Sequence, residues 1–116
     1  MRKSRTGKMN TIVSFWKYRP HKGPEPGEEE KTILYKARAE IYDPSMKDME
    51  VLNGIDTKKA VTIVIRDPRR AYIPSNKHYV KIDDYRLLGK WSIIDVRNDI
   101  TESRFITILL GMTNDG

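Results

Sequence analysis

A chain of 116 residues, 38% of them hydrophobic, suffices for one domain around one thin core. The absence of cysteine excludes disulfides, thiol catalysis and cysteine-based zinc sites, and it fits a reducing compartment. The net charge of +6 is lodged at one end: seven of the 22 basic residues lie in the first 23 positions without an acid among them, leaving 15 basic against 16 acidic residues in an electrically balanced body.

The opening MRKSRTGKMN reads as a flexible basic arm over residues 1–9. No apolar h-region follows it, so a secretory signal is not expected, and no run approaches the ~20 apolar residues that span a bilayer. A cytoplasmic product and no membrane partner follow as expectations. A basic arm can touch phosphates, but terminal charge also serves solubility without any specific partner.

Residues 10–18, NTIVSFWKY, are β-branched and aromatic and predict a first strand. The following RPHKGPEPGEEEK, with three prolines, two glycines and the acids Glu28, Glu29 and Glu30, predicts an exposed loop. In ILYKARAEIY the residues Ile33, Tyr35, Ala37, Ala39 and Ile41 alternate with Lys36, Arg38 and Glu40, the period of a half-buried strand. Alanine is a weak strand former, so Ala37 and Ala39 imply a bulky neighbour, for which Trp16 and Trp91 are the candidates.

Asp43-Pro44-Ser45 breaks that strand, and SMKDMEVLNG predicts a short helix whose Met46, Met49 and Leu52 face the sheet as core. AVTIVIR at 60–66 is the third strand and ends at Asp67-Pro68. The turn-rich RRAYIPSNK leads to a short fourth strand, HYVKI, at 78–82. Asp83-Asp84 and RLLGK mark a turn in which Gly89 takes positive φ. WSIIDVR at 91–97 and RFITILL at 104–110 are strands five and six, and residues 113–116 form a frayed tail. Six short strands with one helical insertion predict a mainly β protein, a small antiparallel barrel or sandwich over residues 10–112 with long loops.

Catalytic chemistry finds no footing in this pattern. His21 and His78 lack HxxH or HExxH surroundings, and Asp83-Asp84 and Asp95 with Asp99 read as turn formers before metal ligands. No GxSxG elbow, GxGxxG or GxxxxGK loop occurs, so neither an enzyme nor a cofactor is expected. Arg66, Arg69 and Arg70 with Tyr72 form a basic-aromatic cluster, which Asp67 interrupts. One reading is therefore an oligonucleotide-binding small β-barrel that uses the basic arm and the arginine loop.

Read in order, TIVSFWKY, LYKARAEIYDPS, AVTIVIR, HYVKI and the final WSIIDVRND-turn-RFITILL hairpin resemble the head closure, or head–tail joining, family of tailed bacteriophages, also called stopper or adaptor proteins. The resemblance runs from Thr11 to Leu110. Members commonly carry a D-x-x-G element in the first loop, where this chain has Gly23 and Gly27 amid proline and glutamate. The resemblance implies a non-enzymatic virion protein made in the host cytoplasm. It would form a ring, often of twelve copies, from subunits that are monomeric in isolation. The ring would sit below the portal or adaptor, close the DNA-filled head and present a surface to the tail. It further implies a channel or partner loop at 67–77, with Arg69, Arg70, Tyr72, Ile73, Asn76 and Lys77 as its contacts, to packaged DNA among others. Glu28, Glu29 and Glu30 would be the acidic partners on a neighbouring subunit.

Overall fold

Alternating apolar side chains can be buried on one face of a strand only if the sheet finds a second layer or closes on itself. Here it closes. The computed structural model describes residues 9–19, 30–44, 46–52, 57–98 and 104–113. The strands are β1 (Thr11–Arg19), β2 (Glu30–Tyr42), β3 (Thr57–Arg66), β4 (Tyr79–Ile82), β5 (Trp91–Asn98) and β6 (Phe105–Thr113). They form a closed antiparallel barrel in the order β1-β2-β3-β6-β5-β4, with β4 pairing back onto β1. The helix α1 (Met46–Leu52) is inserted between β2 and β3. The fold is thus the small six-stranded barrel with one short helix that the sequence pattern predicts. β2 and β3 start three residues earlier than expected, and β6 runs on to Thr113, into the segment expected to fray. The basic segment 1–8 and residues 114–116 lie outside the described residues.

Val13, Phe15, Ile63, Ile65, Val80, Ile82, Trp91, Ile106, Ile108 and Leu110 fill the interior, all essentially inaccessible to water. The Trp91 indole still needs a partner for its N–H and donates to the Leu87 carbonyl at 2.8 Å. Gly89 has φ +128°, as the turn requires, and a Cβ there would strike the Met112 side chain.

Two expectations fail in an instructive way. Ile33, expected inside, is 53% exposed. Phe15 pairs with Tyr35 but Trp16 pairs with Ile33, so Leu34 is an extra residue in β2. This bulge resets the alternation: Leu34 packs against the core and Ile33 turns outward. Trp16 is carried to the outer surface by the same register, beside Tyr79 on β4, and so cannot sit over Ala37 and Ala39. Trp91 remains inside, in one cluster with Ala39.

The helix also presents a different face from the one predicted. Met46 and Met49 are 87% and 54% exposed, whereas Asp48 is buried. The Asp48 carboxylate accepts from the Thr62 hydroxyl on β3 at 3.0 Å and pairs with the Arg97 guanidinium on β5, which also reaches Asp95 at 3.2 Å. Helix α1 therefore lies across the outside of the barrel over β6, tied by polar bonds on both sides. Beneath it Leu109, Val64 and Thr62, which alternation alone would leave in water, are buried. A seven-residue helix is too short to persist without such tertiary bonds.

Asp48→Ala is expected to lower stability in urea denaturation by about 1–3 kcal/mol, the cost of stranding the Thr62 and partly exposed Arg97 groups. Met46→Ala should change it by less than about 0.5 kcal/mol. A reversed ranking would restore the methionine face as the docked one.

Candidate functional site

The longest connection among the described residues joins β3 to β4 and contains most of the candidate residues. Pro68 cannot continue the β3 ladder, and the chain turns at once. Asp67 accepts from the Arg69 amide at 2.8 Å, its own amide donates to the Arg104 carbonyl at 3.0 Å, and a 3-10 turn follows at Arg69–Ala71. Arg69 sits at φ +55°, a left-handed conformation that costs a non-glycine residue about 1–2 kcal/mol and needs the Asp67 bond to hold it.

Tyr72 then turns inward. Its ring lies 4.7 Å from Phe15 and 5.4 Å from Tyr35, stacked on the latter, and only 7% of the residue meets solvent. The hydroxyl is 2.7 Å from His78 Nδ1, where the connection ends. With the ring proton on Nε2, the phenol donates to Nδ1. Burial holds the Tyr72 phenol protonated, well above its usual range. Burial, and secondarily the Lys17 ammonium, push the His78 imidazole below its ordinary 6.5, so that it stays neutral at neutral pH. Tyr72 is therefore an anchor of the loop and not a ring that a partner can touch.

The remaining candidates do point outward. Arg69, Arg70, Asn76 and Lys77 are exposed, and Ile73 is 76% exposed, held out by the inward turn of Tyr72. Between this connection and the ends of β5 and β6 lies an open depression of about 240 Å³, bordered by Asp67, Arg69, Tyr72, Ile73, Val96 and Asn98. No nucleophile–base pair lines it. Among the described residues, no three of His, Asp and Glu come close enough to hold a metal.

Topology decides which candidates share a neighbourhood. β1 ends and β2 begins with Arg19 paired to Glu30 in the last register position, whereas β3 ends beside Ala39, nine residues further along β2. Glu30 is exposed, and roughly 30 Å of extended strand separates it from the row at which the arginine connection leaves β3. Glu28 and Glu29 lie outside the described residues. The chain enters β1 at Thr11, which shares a row with Ala39 and, through it, with Ile65 at the end of β3. Two strand spacings, about 10 Å, thus separate the start of β1 from the start of the arginine connection.

A second feature was not singled out from the sequence. On the outside of the barrel Trp16 stacks on Tyr79 at 4.9 Å, and Tyr18 meets both rings edge-on, at 5.0 Å and 5.5 Å. Lys31 lies 4.8 Å over the Trp16 ring, and Lys90 lies 5.0 Å over Tyr79 and 5.5 Å over Tyr18. The sequence signal for it was only the outward phase of Lys36 and Arg38. The partner strands that complete it are far apart in the chain.

Because the folded state disfavours protonated His78, stability is whole above pH 6.5 and falls as the pH drops below that value toward the lowered folded pKa. The difference in stability between wild type and His78→Gln should shrink or reverse between pH 7 and pH 5, as read from thermal melts. A pH-independent difference would show that the imidazole does not titrate in the fold.

No family model matches the chain, and no curated protein matches it. Among solved structures it is similar to the solution structure of protein SF1141 from Shigella flexneri 2a, at 18% sequence identity and a TM-score of 0.63, over 97% of this chain and 100% of that one. At that identity the likeness is one of fold.

Proposed function

We propose that this chain is a non-enzymatic structural protein of the head–tail connector of a tailed bacteriophage. It forms a ring below the portal or adaptor, closes the DNA-filled head and offers the tail its attachment surface. The observation that carries this reading is the 67–78 connection. A rigid barrel holds it at its base through Tyr72, and it projects Arg69, Arg70, Ile73, Asn76 and Lys77 from one end. An exposed isoleucine ringed by cations suits a protein partner better than a small substrate. The exposed Glu30, well separated along β2 from the row where the arginine connection begins, supports heterologous contacts between neighbouring copies, the kind that close into a ring by rotation.

The reading of an oligonucleotide-binding barrel that grips one strand with both the basic arm and the arginine loop draws less support. The ring of that arginine cluster, Tyr72, is buried and offers no face on which a base could stack.

In the phage or prophage that encodes this chain, Arg70→Glu combined with Ile73→Asp and Lys77→Glu should leave the isolated protein folded, since all three side chains are exposed. Electron microscopy of lysates should then show tailless heads that have lost their DNA. Full yields of tailed, infectious particles from this variant would overturn the reading.

A further inference from the structure

The outside of the barrel is not uniform. Over β6 it is covered by α1, whereas over β1, diametrically opposite in the strand order, the Lys90 end of the 83–90 connection reaches the outer rings. Register fixes what this face displays. β1 offers Ile12, Ser14, Trp16 and Tyr18; β2 offers Lys31, Ile33, Lys36 and Arg38; β4 offers Tyr79 and Lys81. Lys36 and Lys81 flank Ser14 from either side, about 10 Å apart across two strand spacings, and Arg38 follows Lys36 by about 7 Å along β2. Together with Lys90 this gives five cations; the acids that follow them along the strands are the exposed Asp83, two residues past Lys81 with its amide donating to the Ile12 carbonyl, and the buried Glu40, two residues past Arg38. Lys36, Arg38 and Lys81 are exposed, and none of the three takes part in an ion pair among the described residues.

We propose that this face binds duplex DNA through its phosphates. Charge chooses the occupant: duplex DNA carries one negative charge per about 1.7 Å of axis, and an array of lysine and arginine without ion-pair partners matches it by releasing counterions. The rings decide between duplex and single strand. Stacking of unpaired bases needs a bare aromatic face. Trp16 is only 4% exposed, and Lys31 and Lys90 cap the cluster. The aromatics here hold ammonium groups in place and leave no platform for bases. The site is distinct from the arginine connection, and its binding can be read on the isolated chain. The outcome therefore does not depend on the connector reading.

The test is fluorescence anisotropy of the full chain with a labelled duplex of about 20 base pairs and the matching single strand, between about 50 and 200 mM KCl. Lys36→Gln with Arg38→Gln and Lys81→Gln should weaken duplex binding at least tenfold and flatten the slope of log affinity against log salt by about 2–3. The charge-keeping set Lys36→Arg, Arg38→Lys and Lys81→Arg should bind as wild type does, which separates charge from folding. Lys59→Gln with Arg104→Gln, two exposed cations away from this face, should leave the slope nearly unchanged. The proposal is overturned by the absence of duplex binding at low salt, by tighter binding of the single strand, or by equal losses in both glutamine sets. Displacement by polyglutamate at the same charge concentration as DNA would also overturn it, in favour of an acidic protein partner.

Discussion

Closure of the sheet through β1 is the constraint from which the other features follow. β1 is hydrogen-bonded to β2 along its whole length and, over Val13–Trp16, to β4 on its other edge, and that second pairing closes the sheet. Once the sheet is a barrel, every strand position has only two destinations, a packed interior or the outside. The side chains of β1, β2 and β4 are thereby sorted: Phe15, Val13, Val80 and Ile82 inward, Trp16, Lys36, Arg38, Tyr79 and Lys81 outward. The bulge at Leu34 belongs to the same logic. It lets Tyr35 reach the interior beside Phe15 and Tyr72 while Lys31 turns out over Trp16.

Tyr72 links that core to the surface. A loop of twelve residues has a large conformational entropy to lose, and a single anchored aromatic fixes its middle at modest cost. The phenol satisfies its hydroxyl on His78, so a polar group enters the interior without being stranded. With Tyr72 inside, its neighbours Arg70 and Ile73 have no choice but solvent. The exposed isoleucine is thus a by-product of the anchor and also the most conspicuous apolar feature of that end.

The two outer faces solve opposite problems. Over β6 the outward Leu109 and Val64 require cover, and α1 supplies it with an aspartate as its inner residue because Thr62 and Arg97 offer it partners. Over β1 long cations lie against the rings and shield their apolar surfaces, while Ile12 and Ile33 stay exposed beside them. A chain whose body is balanced in charge thereby acquires a predominantly basic face, since the fold gathers cations from three strands and brings the exposed Asp83 only to its margin.

Much of the fold was legible in the residues themselves. The alternation in β2 and β3, the Asp-Pro breaks at 43–44 and 67–68, and the turn at Gly89 act locally, through side-chain period and backbone sterics, and they define six strands and one helix without reference to any neighbour. The outward placement of Arg70, Ile73 and Lys77 followed from the same loop chemistry. The burial of Tyr72, the inward turn of Asp48 and the exposure of Ile33, Met46 and Met49 did not. Each depends on a partner distant in sequence: Phe15 and Tyr35 for Tyr72, Thr62 and Arg97 for Asp48, the register against β1 for Ile33. Local pattern determines what a segment can be. Only the closed barrel, by bringing strands together across the chain, decides which side chains meet and which charges share a face.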